Sequence, residues 1–480
     1  MIKKKVVAAM IWSLVGQIGS TGISTIFILI FARFMAPSDF GAFALGILLT
    51  SLTGHLAGLG LSTALIQRST LDARSLSTAF WMSLGASLVL AGVLVSLSGQ
   101  IALLFRVPRI SDIILPLAAA MVIGNATTLL SAVLRRDLNM KALSTRILVA
   151  NLVSGAVATP LAINGYGATS LVTQAVVGAL FSFIATVLSI GWTVRLQFDR
   201  NAAKEMLLYG IQVMKSDCLT LFNMENPKLF ISILLGADAL GVYSMASRLL
   251  NLLLILLGTS LSGVALPLLS EIYRTTPEQV SEVHLRLLRL AGTIYIPVFL
   301  LSAVLSVEVI AIGLGSKWAA AAPVSALLCL AGIPLGLGYM NGATVLAIGH
   351  SRLRSRLVML GSGISIFLLT AATPFGLIWV GAALLLRALI IETLMTRSLL
   401  RLLGRAFPKN LSVLKPAALA GIVLVSVASL VRWGLTEASP LTTLAICSMT
   451  ALPAYAICIW HLDRDVVKEI AALFRRWDAA

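Results

Sequence analysis

Runs of apolar residues, each about twenty long, recur from one end of this chain to the other, and twenty is the number that spans the hydrocarbon core of a bilayer. On that ruler there are roughly fourteen runs. They lie near 11–32, 41–62, 77–99, 112–134, 144–163, 169–193, 211–235, 240–268, 290–312, 323–347, 357–374, 377–400, 413–432 and 440–460. The connections are too short to hold a soluble domain. Backbone in hydrocarbon must satisfy its own hydrogen bonds, so each run is predicted to be helical. Composition agrees: 59% of the 480 residues are hydrophobic and 11% charged, where a soluble domain carries about 25% charged residues. The chain reads as an all-α integral membrane protein of about fourteen transmembrane helices. Its start, three lysines before a long apolar run, has the look of a signal peptide. That run is too long for one and lacks a small-residue cleavage site, so an uncleaved first span is expected.

A net charge of +17 could point to nucleic acid, but the placement of the basic residues argues for topology instead. Lys3, Lys4 and Lys5, then Arg68 and Arg74, then Arg135, Arg136, Lys141 and Arg146 mark alternate connections, and the pattern continues to Arg475 and Arg476. The intervening connections hold only Arg33, Arg106, Arg109, Lys317 and Arg432. Basic loops stay on the cytoplasmic side, so both termini are expected there and no nucleic-acid partner is implied. Pro277 to Arg289 and Asp463 to Trp477 place Val466, Ile470, Leu473 and Trp477, among others, at helical spacing between basic residues, as cationic surface helices do. Cys218, Cys329, Cys447 and Cys458 show no ligand spacing. No metal, cofactor, nucleotide-binding loop or catalytic constellation is expected.

The seventh run departs from the others. It carries Lys215, Asp217, Glu225 and Lys228 around Pro227, and one charge at the centre of a span costs roughly 2.5–3.5 kcal/mol. Charges kept there mark a pathway by default. Helical angles put Asp217 and Lys228 on one side with Glu225 beside them, and Glu225 and Lys228 can pair at i,i+3. Lys215 points away, towards headgroups. Asp217 and Glu225 are the candidates for a coupling ion. Arg248 and Arg387 lie within the eighth and twelfth runs without a local partner, and Arg33 ends the first. Unpaired guanidinium groups suit a pyrophosphate or acidic sugar, although pairing between lobes or snorkelling would also explain them. His55 reads as a hydrogen-bonded interior histidine, the one histidine well inside a run. The substrate-cavity candidates are thus Arg33, His55, Asp217, Glu225, Lys228, Arg248 and Arg387. Gly54 with Gly58, and Gly332 with Gly336, read as packing faces.

A shift of 200 residues lays Met35-Ala-Pro-Ser-Asp-Phe-Gly-Ala-Phe over Leu235-Gly-Ala-Asp-Ala-Leu-Gly-Val-Tyr, aligning Gly41 with Gly241. A similar shift lays the turn at Gly165 over that at Pro374. A duplication follows: residues 1–200 as a first lobe of six helices, 201–405 as a second, 406–462 as two further helices and 463–480 as an amphipathic tail. Repeats of this kind bind substrate near the midplane between them.

At these residues the chain resembles the polysaccharide flippases, the Wzx type of the multidrug/oligosaccharidyl-lipid/polysaccharide exporter superfamily. The resemblance rests on Arg33-Phe-Met-Ala-Pro-Ser-Asp-Phe-Gly, Gly58-Leu-Gly-Leu-Ser-Thr-Ala-Leu-Ile-Gln-Arg, Leu134-Arg-Arg-Asp-Leu-Asn-Met-Lys, Asn164-Gly-Tyr-Gly, the Leu235 turn and Gly315-Ser-Lys-Trp-Ala. Asn223-Met-Glu-Asn-Pro-Lys departs from the family's seventh helix. The resemblance implies a V-shaped, MATE-like transporter, not an enzyme, in the bacterial inner membrane. It would move undecaprenyl-pyrophosphate-linked oligosaccharide to the periplasmic leaflet by alternating access, working as a monomer with a polysaccharide polymerase and chain-length proteins as candidate partners. The alternatives are a cation-coupled multidrug or metabolite antiporter and, more remotely, a polysaccharide polymerase or ligase. The last needs a large external loop that the connections do not supply.

Overall fold

The computed structural model describes residues 2–68, 72–191, 194–404, 412–435 and 437–469, which form helices and the turns between them with no strand among them. Two compact units divide the chain. The first, Met1–Ser244, holds α1 (Ile2–Phe34), α2 (Pro37–Gly58), α3 (Leu61–Gln67), α4 (Ala73–Ser96), α5 (Ser98–Leu104), α6 (Ile110–Arg136), α7 (Met140–Ile163), α8 (Ala168–Ile190), α9 (Arg200–Leu234) and the start of α10 (Gly236–Leu253). The second, Met245–Ala480, completes α10 and adds a π-helical turn (Leu254–Thr259), α11 (Ser260–Thr275) and α12 (Val280–Val304). It continues with α13 (Ser306–Gly313), α14 (Ala321–Ala347), α15 (Ser351–Ala372), α16 (Leu377–Leu402), α17 (Lys415–Gly434) and α18 (Pro440–Leu462). The repeat boundary at 200/201 precedes this division, because α9 packs on α2, α3 and α4.

Among the described residues, thirteen helices are long and apolar enough to cross a membrane. The predicted seventh, α9, is not among them, since its charges dilute the apolar run. Packing nevertheless carries it across. At one end of α2, Gly60 (φ +63°) lies against the carbonyl of Gly210, and Gly210 against that of Leu59. At the other end of α2, Gly41 lies against Ala237, just beyond α9. The segment 210–237 therefore runs antiparallel to α2 along its whole length and crosses whatever α2 crosses.

The turn into α2 shows why its residues are what they are. Pro37 opens the helix, where its missing N–H costs nothing, and the Asp39 carboxylate accepts from the Ala36 N–H at 3.3 Å. Asp39 is buried, ion-paired with Arg109, and faces Gly167, whose φ of +53° leaves no room for a side chain. Gly41 and Gly241 make a reciprocal contact: Gly41 lies on the Ala237 carbonyl and Gly241 on the Pro37 carbonyl. Exchanging residues 200 apart maps this contact onto itself, which is the symmetry expected of a duplicated turn.

In the second unit the Phe299 and Tyr295 rings of α12 cover Gly332 and Gly336 of α14, as the predicted packing face requires. The other pair divides: Gly54 faces Met121 of α6, while nothing approaches Gly58 within 4 Å. The last two helices pack through Leu424, Tyr455 and Ile459 onto Ile296 of α12. The Tyr455 hydroxyl donates to the Thr293 carbonyl at 3.0 Å.

Two expectations are corrected here. Residues 277–289 are not a separate surface helix. A short 3-10 turn (Pro277–Gln279) leads directly into α12, whose Val280, His284 and Leu288 form one buried stripe. His284 is consequently fully buried, bonded through Nδ1 to Thr344 Oγ at 2.8 Å, whereas His55, expected to be interior, is exposed. The segment after α18 does not begin as a free surface anchor either. Asp463 is buried and holds Arg289 with both oxygens, Glu469 pairs with Arg286 at 2.9 Å, and Val466 is fully buried. Ile470, Leu473 and Trp477 lie outside the described residues. Removing one partner of a buried, doubly bonded ion pair costs about 3–5 kcal/mol. Asp463→Ala is expected to lower stability by about 3 kcal/mol, read as a fall in the thermal midpoint of the solubilised protein. An unchanged midpoint would show that the pair is dispensable.

Candidate functional site

The first unit holds an open cavity of about 450 Å³ between α2, α3, α6, α8 and α9. Its polar lining is Thr50, Ser51, His55, Ser62, Thr63, Asn125, Thr128 and Asp217, with Leu117 and Met121 among its apolar walls. Gly54, Gly58, Gly60 and Gly124 line it as well, so part of its volume exists because four positions lack side chains. Asn125 anchors the wall: its amide nitrogen donates to the Gly54 carbonyl at 3.1 Å and to Ser87 Oγ at 3.0 Å, joining α6 to α2 and α4. The His55 ring is held by Nδ1 against the Ser51 carbonyl at 2.8 Å. Asp217 is exposed, and among the described residues no donor reaches its carboxylate.

Of the seven candidates, the structure brings His55 and Asp217 together in this cavity. Glu225 and Lys228 pair with each other at 2.7 Å on α9, each side chain about a quarter exposed (22% and 27%), so the predicted i,i+3 pair forms. Met224 beside them is 71% exposed. Arg33 is exposed at the end of α1. Arg248, in the second unit, is exposed, and among the described residues it makes no hydrogen bond or ion pair. Arg387 donates from Nε to the Gly361 carbonyl at 3.2 Å.

Sequence reasoning missed three features. Asn125 looks like any polar residue in a helix, and only the meeting of α2, α4 and α6 shows its role. Glu308 of α13 is buried and bonded to Arg432 of α17 at 2.7 Å, a pair more than a hundred residues apart in sequence. In α14 and α16, Asn341 donates to Thr396 Oγ at 2.9 Å, and the Glu392 carboxylate lies directly over Gly338. A glutamate within an apolar run could have flagged the last of these. None of the three falls at a motif.

With this geometry in place, likeness to known proteins becomes informative. Residues 30–323, more than half of the chain, match the family model described as polysaccharide biosynthesis protein. The succinoglycan biosynthesis transport protein ExoT of Rhizobium meliloti is 23% identical over 66% of this chain; the matched stretch spans 64% of that relative, just under two thirds. The lipopolysaccharide biosynthesis protein WzxC of Escherichia coli is 22% identical over 72% of this chain and 70% of its own. Among solved structures, lipid II flippase MurJ in an inward closed conformation superposes with a TM-score of 0.79 at 17% identity, covering 96% of this chain and all of that one. An inward-facing multidrug-resistance MATE transporter gives 0.62 at 16% identity, over 79% and 95%. Identities this low establish a shared fold.

Proposed function

Because the chain belongs to the polysaccharide biosynthesis protein family, we propose that this multi-pass membrane protein is a flippase for lipid-linked oligosaccharide. Undecaprenyl-pyrophosphate-linked repeat units would move from the cytoplasmic to the periplasmic leaflet of the bacterial inner membrane, by alternating access, to feed exopolysaccharide or O-antigen synthesis. The observation that carries the reading is the cavity beside α9. Its volume falls in the range of small-molecule sites, about 300–1,000 Å³, and its hydroxyl, amide and carboxylate lining is matched to sugar hydroxyls. Basic residues concentrated in every second connection, and so on one side, support cytoplasmic termini. The chain would act as a transporter without chemistry of its own, as a monomer, handing units to a polymerase and chain-length proteins.

Asp217 supports a second reading, a cation-coupled antiporter, since an intramembrane carboxylate without a partner can carry a proton or sodium ion. A leaflet assay separates the readings. Cells lacking the protein are expected to hold their lipid-linked repeat units out of reach of a membrane-impermeant glycan label applied from the periplasmic side. Restoring the protein exposes them. Units that reach the outer leaflet without it would refute the flippase: polymerised as usual they favour the antiporter, and left unpolymerised they favour an enzyme.

A further inference from the structure

The cavity of the first unit has a one-sided hydrogen-bonding character. A carbonyl only accepts, so the contact between His55 Nδ1 and the Ser51 carbonyl fixes the ring hydrogen on Nδ1 and leaves Nε2 of the neutral imidazole as an acceptor. Both donors of the Asn125 amide are used by Gly54 and Ser87, which leaves its Oδ1 to accept. Thr50 and Thr128 donate to the Gly46 and Gly124 carbonyls of their own helices, so towards the cavity they too offer lone pairs. The Asp217 carboxylate can only accept, and it is open to the cavity. Against these acceptors stand the hydroxyls of Ser51, Ser62 and Thr63, and among the described residues the lining contains no lysine or arginine.

A site built in this way selects by charge as well as by hydrogen bonding. A ligand rich in hydroxyl donors completes the acceptors. A carboxylate or phosphate brings more acceptors and a second negative charge beside Asp217, and like charges a few ångströms apart repel by more than thermal energy even where water reaches them. We propose that this cavity is the subsite for a non-anionic, hydroxyl-rich sugar of the transported unit, and that Asp217 sets this specificity by excluding uronate. The guanidinium-based expectation of an acidic sugar therefore does not extend to this cavity, and the pyrophosphate is held elsewhere. The inference rests on the flippase reading for its meaning in transport, but the binding itself can be measured without transport.

The test uses the full-length protein in lipid nanodiscs, free of glycoside detergent, with two disaccharides that differ at one carbon. Cellobiose carries a hydroxymethyl group where cellobiouronic acid carries a carboxylate. Saturation-transfer NMR titrations on the unaltered protein are expected to show cellobiose binding about tenfold or more tightly than the uronate. Asp217→Asn, which keeps the shape and removes the charge, is expected to bring the two affinities within about threefold by improving uronate binding. Equal or preferential binding of the uronate by the unaltered protein overturns the proposal, and so does the absence of binding by either sugar. A gap that persists undiminished in Asp217→Asn overturns the role of Asp217. The leaflet assay is independent of all three outcomes, so failure here leaves the flippase reading standing.

Discussion

Gly41→Val is expected to prevent the first unit from reaching the packing described above, with a loss of about 3 kcal/mol or more. The reason is the identity of the atom in the way. A Cβ at Gly41 would sit inside the radius of the Ala237 backbone carbonyl, and one at Gly241 inside that of Pro37. A clash with a flexible side chain is relieved by a rotamer change; a clash with backbone requires a helix to move. Overpacking a close-packed interior typically costs 1–3 kcal/mol, and this contact offers none of the usual relief. Gly241→Val is expected to behave the same way, because the contact is reciprocal. The control is Gly92→Ala. That glycine is also helical, but nothing lies within 4 Å of an added Cβ. There, alanine is expected to be neutral or to stabilise by roughly 0.5–1 kcal/mol through its better helix propensity. Yield of monodisperse protein and the thermal midpoint report all three. Wild-type stability of Gly41→Val would show that the two turns need not touch.

The second large effect concerns transport. Arg248→Ala is expected to reduce flipping by about 10- to 100-fold while leaving the protein inserted, since a hydrogen bond to a charged partner is worth roughly 1.5–3 kcal/mol and each 1.4 kcal/mol is a factor of ten. Arg248 is exposed within a helix of a membrane protein and bonded to none of the described residues. A guanidinium kept in that condition has use for its planar set of donors, and a phosphate oxygen pair matches them. Arg248→Lys keeps the charge and loses the fork, so its defect is expected to fall between wild type and alanine. Arg387 offers a weaker case, because its Nε is already committed to the Gly361 carbonyl. The appearance of lipid-linked units in the outer leaflet, normalised to protein in the membrane, is the readout. Full flipping by Arg248→Ala would remove this residue from the substrate path.

Much of the architecture was legible because the bilayer imposes one rule on every span: a fixed length of apolar residues with charges sorted by side. The runs of α2, α6, α14 and α16 obey it plainly. The site was legible to a lesser degree. His55 and Asp217 stand out because a titratable group in an apolar run is rare, yet nothing in their spacing shows that α2 and α9 bring them to one cavity. Asn125 carries no signal along the chain, and the spacing of Gly54 and Gly58 signals helix packing where Gly58 in fact lines open space. The stretch from Pro277 to Arg289 was misread for a local reason. The basic residues Arg286 and Arg289 read as the edge of a surface helix, whereas their long side chains reach Glu469 and Asp463 and the helix beneath continues unbroken. Long-range pairs such as Glu308 with Arg432 depend on which helix faces meet, and that information lies in packing.

The charges of α9 also bear on how the protein is made. A segment enters the membrane on its own when its transfer free energy favours lipid, and α9, outside the thirteen apolar helices, lacks that advantage. Six apolar spans precede it during synthesis, and α2, which it follows from Gly210 to Ala237, is among the earliest. Insertion of α9 is therefore a templated event, in which the first half of the chain supplies the solvent that lipid cannot. Substitutions that open the contact between Gly60 and Gly210 would therefore be felt during insertion, before the second half of the chain is made.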